Sequence, residues 1–226
     1  MDGTGDLFEP LVASAPPEFK PIVVRLPHTG SYDELERSIQ ASIPPEGEFA
    51  IVAESFSGPL GVRVASAARD RVVALVLCNT FVSRPAHRVF GLLPWAVLFA
   101  MPQPMFVVRW RLLGRYASPG LLTQLRSNIN KTPAHVLAAR MRSVLRIDER
   151  IAAKSLRCRV LYLRGTEDRV ISERVVTNTL RCLTGAVRKD IGAPHLLLQT
   201  SPQVAWSAIA EFLGAGSLTL SADTCQ

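Results

Sequence analysis

Three residues that can act together in nucleophilic catalysis are spread along this chain, and Ser55 is the first of them. It lies in the sequence Ala-Glu-Ser-Phe-Ser-Gly, directly after an apolar run. A serine held on a strained turn between a strand and a helix needs small residues two positions before it and two and three positions after it. Ala53, Ser57 and Gly58 meet this requirement. The pattern predicts a nucleophile elbow at Ser55, although a buried strand that ends in a polar turn would look the same.

An acid and a base follow later in the chain, as a serine nucleophile requires. Serine is a weak nucleophile at neutral pH unless a base takes its proton and a third group orients that base. Asp168 follows the apolar run at 159–163, and His195 follows the run at 186–191. The order Ser55, Asp168, His195 is that of a serine, acid and histidine triad on an α/β sheet. Glu167 is an alternative acid, but loop position favours Asp168.

Each of these later residues also has a simpler interpretation. Asp168 could cap a helix that begins near Ser172, and His195 could be an ordinary loop histidine. The chain has three further histidines, and no two histidines stand at a spacing typical of metal ligands. We therefore predict no metal site. The further histidines are His28, His87 and His135.

Strands and helices alternate along the chain, which predicts a mainly parallel sheet with helices on both faces. The carboxyl ends of parallel strands meet at one edge of the sheet, so this architecture brings Ser55, Asp168 and His195 together. The predicted strands are Pro21–Leu26, Phe49–Ala53, Val72–Leu77, Arg159–Leu163 and Ala186–Ile191. The predicted helices are Tyr32–Ile43, Leu60–Ala68, Glu173–Leu183 and Pro202–Leu213.

Residues 83–150 interrupt this alternation and are predicted to form an inserted helical lid, with a helix from Ala134 to Leu145. The hydrolase-like core would then consist of residues 1–82 and 151–226. The net charge is +7, yet the segment from Arg84 to Arg150 alone carries +9, so the rest of the chain is slightly acidic. Such a lid could face an acidic partner or an anionic lipid surface, or be a solvated helical face. No nucleic-acid partner is expected.

Composition and the chain start favour a cytoplasmic protein with one substantial core. Hydrophobic residues make up 48% of the sequence, and the four cysteines show no Cys-x-x-Cys spacing, so we expect reduced thiols. The first residues have neither the basic nor the apolar region of a signal peptide. The longest apolar stretch, Val89 to Val108, contains three prolines and is predicted to form broken helices instead of a membrane span.

The motifs taken together resemble the α/β-hydrolase superfamily of serine esterase type over nearly the whole sequence. The elbow, the acid loop Leu-Arg-Gly-Thr-Glu-Asp-Arg and the Pro-His turn are similar to those of small capped carboxylesterases, including pimeloyl-carrier-protein methyl ester esterases. The resemblance implies an α/β-hydrolase fold with an inserted lid, and Ser55 as nucleophile, His195 as base and Asp168 as its orienting acid. It implies a carboxylic ester hydrolase of the EC 3.1.1 type, without a cofactor, that cleaves small-molecule esters of short to medium acyl chains.

The resemblance also implies an oxyanion hole, which donates hydrogen bonds to the carbonyl oxygen as charge develops on it. The Phe56 amide would be one donor. The second normally comes from a loop like Asp2-Gly-Thr-Gly5, which places Met1 at the donor position. The strand that usually precedes this loop is not in the sequence, so the fold would lack its usual N-terminal strands. We expect either a truncated start or a shortened hydrolase that rebuilds its sheet edge through lid contacts or homo-oligomerisation.

Two other functions stay open at this point. Removing one oxyanion donor typically slows such enzymes about 100- to 1000-fold, so the chain could be a hydrolase-like ligand-binding or interaction protein with impaired catalysis. The basic lid would also suit a thioesterase or acyltransferase that acts on carrier-bound acyl groups. Trp95, Phe99 and Met105 are candidate substrate-binding residues of an acyl pocket, and they would serve equally well as the core of the lid.

Overall fold

The computed structural model describes the backbone of residues 1–220 and the side chains of residues 1–214. Its centre is a four-stranded, entirely parallel sheet whose strand order follows the chain order. The strands are β1 (Phe49–Glu54), β2 (Val72–Cys78), β3 (Arg159–Gly165) and β4 (Val187–Ile191). Each agrees within two residues with a predicted strand.

The register of the sheet brings the loops that follow the strands to one edge. Glu54 is opposite Cys78, and Cys78 is opposite Leu163. Gly165 at the end of β3 is opposite Ile191 at the end of β4. The residues that follow these positions therefore emerge side by side, where open parallel sheets assemble their sites.

Eleven α-helices are described, and they cover both faces of the sheet. Along β2, Leu75 and Leu77 belong to one hydrophobic cluster, and Val76 and Cys78 belong to a second cluster on the opposite face. The helices are α1 (Glu9–Ala13), α2 (Tyr32–Ser42), α3 (Gly58–Ala67), α4 (Trp95–Ala100), α5 (Met105–Leu112), α6 (Pro119–Lys131), α7 (Ala134–Val144), α8 (Arg150–Lys154), α9 (Glu173–Leu180), α10 (Leu197–Thr200) and α11 (Pro202–Leu220). Short 3-10 helices span Asp6–Phe8, Ser55–Ser57, Arg69–Arg71, Arg88–Leu92 and Gly114–Tyr116.

Helices α4 to α7 lie in the segment between β2 and β3, where the sequence predicts the lid. Ser83 and Asp148 form an isolated antiparallel bridge, and the Glu149 amide donates to the Val82 carbonyl at 2.7 Å. The two ends of the segment are therefore in contact. Within it, a small cluster that includes Leu113, Leu121 and Leu125 packs against Leu7 and Leu196 of the rest of the chain.

The predicted first strand, Pro21–Leu26, is wrong. The segment belongs to no strand, and the hydrogen bond described for its backbone joins the Leu26 amide to the Gly3 carbonyl at 2.8 Å. An apolar, β-branched run becomes a strand only where a neighbouring strand accepts its hydrogen bonds. Among residues 1–220 no strand lies beside it, and Ile22 is 58% exposed.

The apolar stretch from Val89 to Val108 is divided between α4 and α5, with Pro102 and Pro104 in the connection. None of the helices in the described part of the chain is long and apolar enough to cross a bilayer. Cys78, Cys158 and Cys182 are free thiols. Cys225 lies outside the described residues.

Candidate active site

The chain turns sharply at Ser55, between β1 and the helical segment that leads into α3. Ser55 has a positive φ of 53°, a conformation that costs a non-glycine residue about 1–2 kcal/mol. The turn is held by side chains on both sides of it. The Thr80 hydroxyl donates to the Ser55 carbonyl, and the Glu54 amide donates to Ser57 Oγ at 3.0 Å. Ser55 itself is half-buried.

Close packing around this turn explains why the neighbouring residues are small. A Cβ added to Gly58 would lie 1.9 Å from Thr80 Oγ1, the hydroxyl that holds the turn. One added to Gly61 would lie 2.8 Å from the Ala53 Cβ. The small residues therefore let α3 and β2 approach the turn closely.

The structure brings together the three residues that the sequence selects as a triad. Ser55 Oγ lies 2.8 Å from His195 Nε2, and His195 Nδ1 lies 3.0 Å from Asp168 Oδ2. This network assigns the proton of the neutral ring to Nδ1, which donates to Asp168, and leaves Nε2 to accept from the Ser55 hydroxyl. The side chains of His195 and Asp168 are 4% and 1% exposed. A buried acid and a buried base thus adjoin a half-buried serine.

Local hydrogen bonds fix the carboxylate of Asp168. Its Oδ1 accepts from the amides of Val170 and Ile171 at 2.7 and 3.1 Å, which leaves Oδ2 for His195. The neighbouring Glu167 points elsewhere, because its Oε1 accepts from Arg115 and Tyr116 at 2.7 and 2.9 Å. Of the two acids considered from the sequence, Asp168 is the one that contacts the histidine.

Asn79 forms hydrogen bonds with both of the loops that carry Asp168 and His195, and it was not predicted from the sequence. It directly follows β2 and has a positive φ of 42°. Its Nδ2 donates to the carbonyls of Pro194 and His195 at 3.0 and 2.9 Å, and its Oδ1 accepts from the Gly165 amide at 2.7 Å. A polar side chain at the carboxyl end of an apolar strand was the signal that could have identified it.

Glu54, also missed, connects the elbow to the helix that follows the histidine. Its Oε1 accepts from the Leu198 amide at 3.2 Å, and its Oε2 accepts from Gln199 Nε2 at 2.8 Å. Burial raises the pKa of this carboxyl group, although the two hydrogen bonds oppose the shift. A charged residue inside an otherwise apolar strand end was the available signal.

Arg140 contacts both of the residues that are predicted from the sequence to be oxyanion donors. Its guanidinium donates to the backbone carbonyl of Met1 and lies 5.7 Å from the centre of the Phe56 ring. The Met1 amine is buried although the residue as a whole is 37% exposed, and this burial lowers the pKa of the amine. Coulombic attraction from Glu54, the residue beside Ser55, opposes the shift. Met1 and Phe56 are therefore held near the same buried arginine.

The contacts described for the three candidate substrate-binding residues lie within α4, α5 and the residues next to them. Trp95 and Phe99 stack on each other in α4 with ring centres 5.8 Å apart, and Met105 begins α5. Neither of the two cavities described, of about 1080 and 540 Å³, includes any of these residues or Ser55 in its lining. Their part in an acyl pocket stays a prediction.

The other histidines lie apart from the triad in their described contacts. His87 Nδ1 accepts from the Val89 amide at 3.2 Å, which caps a short 3-10 helix. Among the residues that the structure describes, no group of three or more histidine, cysteine, aspartate or glutamate side chains is placed to hold a metal ion.

Solved structures that match this chain have the α/β-hydrolase fold. A hydrolase from Oleispira antarctica has a TM-score of 0.79 at 12% identity, with 95% of this chain and 88% of that chain covered. A thermophilic esterase from Thermogutta terrifontis has a TM-score of 0.78 at 20% identity, with 94% and 86% covered. An enol-lactonase from Burkholderia xenovorans has a TM-score of 0.76 at 17% identity, with 94% and 88% covered.

This chain therefore has the α/β-hydrolase fold, and the predicted fold class is confirmed. No protein-family model matches the sequence, and no curated protein matches it either. At these low identities the likeness establishes the fold, and an activity has to be argued from the site itself.

Proposed function

We propose that the protein is a serine hydrolase that cleaves carboxylic esters through Ser55, His195 and Asp168. The observation that carries the proposal is the continuous pair of contacts from Ser55 Oγ to His195 and from His195 to Asp168, at 2.8 and 3.0 Å. A nucleophile, a base and an orienting acid in this geometry are the requirements for acyl transfer. The structural neighbours include esterases, which agrees with this chemistry.

In the proposed reaction His195 Nε2 takes the proton of Ser55 as Oγ attacks the ester carbonyl. Asp168 stabilises the imidazolium that forms. His195 then donates the proton to the leaving alcohol, and an acyl group remains on Ser55. A water molecule, deprotonated by the same nitrogen, attacks this acyl-enzyme and releases the carboxylic acid with Ser55 restored.

The charge that develops on the carbonyl oxygen needs hydrogen-bond donors that are already in place. We assign the first of these to the Phe56 amide, which directly follows the nucleophile, and the second to the buried N–H group of Met1. The contact of Arg140 with the Met1 carbonyl and the Phe56 ring supports this pairing. Residues 83–150 would cover the site as a lid, and Trp95, Phe99 and Met105 would contact a short to medium acyl chain.

The decisive experiment is hydrolysis of p-nitrophenyl acetate and butyrate by the wild type and by Ser55→Ala. We expect the substitution to lower kcat/KM by at least about 10³-fold. Ser127→Ala, at an exposed position of α6, is the matched control and should retain full activity. Equal rates in the wild type and Ser55→Ala would reject the proposal.

A second candidate is a hydrolase-like binding protein with impaired catalysis, because neither of the two cavities described includes Ser55 in its lining. Labelling with a fluorophosphonate probe separates the two functions. Rapid stoichiometric labelling of Ser55 supports the hydrolase, whereas an unlabelled, folded protein supports the binding function.

A further inference from the structure

Residues 83–112 form a surface that is rich in apolar side chains and contains no buried residue. Ten of its large apolar side chains are exposed, among them Leu92 at 85%, Phe106 at 76% and Trp110 at 54%. Scattered apolar residues are normal on a protein surface, but ten exposed large ones in a segment of thirty residues indicate an interaction site. We call residues 83–112 the docking surface.

Its charge has a single sign. Arg84, Arg88, Arg109 and Arg111 lie within the docking surface and are exposed. No aspartate or glutamate occurs anywhere between Asp70 and Asp148 in the sequence. The ligand of such a surface must combine an apolar phase with negative charge.

A groove of about 540 Å³ joins the two properties. Phe106, Val107 and Trp110 form its apolar wall, and Arg109 and Arg169 contribute positive charge. The Arg169 guanidinium lies 5.0 Å from the centre of the Trp110 ring. The cations therefore lie at the edge of an apolar surface. An anionic lipid fits this arrangement, because its charged headgroup lies directly above its apolar acyl chains.

Hydrogen bonds connect the docking surface to the triad loops. Arg169, which directly follows the proposed catalytic Asp168, donates to the Trp110 carbonyl at 2.9 Å, and Arg111 donates to the Arg169 carbonyl at 3.2 Å. The Leu196 amide, next to the proposed catalytic histidine, donates to the Leu112 carbonyl at 3.0 Å. A partner bound here would lie beside the loops that carry Asp168 and His195.

We propose that the docking surface binds the face of an anionic lipid bilayer, with its apolar side chains inserted at the level of the headgroups and its arginines beside the lipid phosphates. A second copy of this chain fits less well, because a symmetric dimer would place the arginines against each other. An acidic protein would match the charge but not the extent of exposed apolar surface. A bilayer supplies both, and the protein would lie on it without spanning it.

The experiment is co-sedimentation of the full chain with vesicles of phosphatidylcholine alone or with about one third phosphatidylserine. We expect binding to the anionic vesicles that weakens as salt is raised, because salt screens the arginines. The Ser55→Ala protein should bind as the wild type does. Membrane binding and ester hydrolysis are therefore tested separately, and either can fail alone.

Two double variants test the two properties of the surface. Leu92→Ser with Phe106→Ser should weaken binding more than about tenfold, because two exposed apolar side chains are lost. Arg88→Gln with Arg109→Gln should weaken it about 25-fold, since each arginine near an anionic surface contributes a factor of about five. The matched controls are Ile151→Ser, at a side chain that is 87% exposed, and Arg174→Gln with Arg181→Gln, all outside the surface.

All variants must keep the thermal unfolding midpoint of the wild type, which shows that they are folded. Equal binding to both kinds of vesicle, or unchanged binding of both double variants, would overturn the proposal. So would a dimer that the Leu92 and Phe106 substitutions dissociate while vesicles bind nothing. Binding to soluble polyglutamate with no binding to vesicles would assign the surface to an acidic protein instead.

Discussion

At the scale of single residues, the proposed site depends on which of two adjacent acids faces the histidine. Asp168 contacts His195, whereas Glu167 pairs with Arg115 and Tyr116. The sequence predicts both acids in the same loop, and only their positions within that loop favour Asp168 over Glu167. The backbone amides that hold Asp168 Oδ1 decide it, and their direction depends on the folded loop.

We expect Asp168→Asn to lower kcat about 10³- to 10⁴-fold, because the amide no longer stabilises the imidazolium or its tautomer. Glu167→Gln is the matched control. It removes an exposed ion pair, which contributes at most about 1 kcal/mol, so activity should change less than about fivefold. Steady-state kinetics on a p-nitrophenyl ester would check both. A larger loss in Glu167→Gln than in Asp168→Asn would contradict the assignment.

The buried carboxyl group of Glu54 should make stability depend on pH. Its pKa in the folded protein is raised by burial, so it stabilises the fold below the unfolded-state pKa and this contribution is lost as pH rises through the folded-state pKa. Glu54→Gln removes the titration and can still accept from the Leu198 amide. Gln199, whose Oε1 has no partner among the described residues, can accept from the new amide after a flip.

We therefore expect the unfolding midpoint of Glu54→Gln to rise relative to that of the wild type as pH is raised from about 4 to about 8. Thermal denaturation followed by circular dichroism would measure the difference. Glu18→Gln, at an exposed position, should show no such trend. A difference between Glu54→Gln and the wild type that is independent of pH would contradict the expected burial effect.

At the scale of elements, the elbow requires α3 to begin very close to the loop after β2. Gly58 makes this approach possible, since any side chain there would overlap Thr80. The sequence indicated that small residues were needed, but not which neighbour required them. That neighbour lies 22 positions later and meets the turn only because β1 and β2 are paired in parallel.

Gly58→Ala should destabilise the protein by about 1–3 kcal/mol, because the added methyl group forces Thr80 away from the turn. Gly120→Ala is the control, since an added Cβ there meets nothing within 4 Å. It should be neutral or stabilising by up to about 1 kcal/mol. Urea denaturation would measure both, and equal effects would show that the packing around Gly58 can relax.

At the scale of the whole molecule, Arg140 of α7 holds the segment between β2 and β3 to the start of the chain. It is fully buried, and its guanidinium donates to the backbone carbonyls of Met1, Asp2, Pro27 and Thr29. Burial lowers the pKa of this arginine. One planar group thus satisfies carbonyls from two separate stretches of irregular backbone.

Arg140→Lys should lower the free energy of unfolding by about 2–5 kcal/mol, because one ammonium group cannot reach all of these carbonyls and leaves some buried without a donor. Arg142→Lys, an exposed position on the same helix, should have no measurable effect. Chemical denaturation would compare the two variants. A loss below about 1 kcal/mol for Arg140→Lys would mean that water replaces the missing donors.

The sequence by itself determined the fold class, the four strands of the sheet and the prediction of Ser55, Asp168 and His195 as a triad. These follow from local signals, namely apolar runs of strand length, small residues around a turn and chemistry-bearing side chains after strand ends. The segment at 21–26 carried the same signal and forms no strand, because strand pairing depends on a neighbour that its own residues do not specify.

Only the tertiary structure decided which side chains support the triad residues and the predicted oxyanion donors. Asn79, Glu54 and Arg140 act on residues more than 100 positions away in the chain, and no local pattern records such pairings. The structure also leaves ten large apolar residues of the segment 83–112 exposed. Apolar composition is local, but burial depends on what the rest of the chain covers.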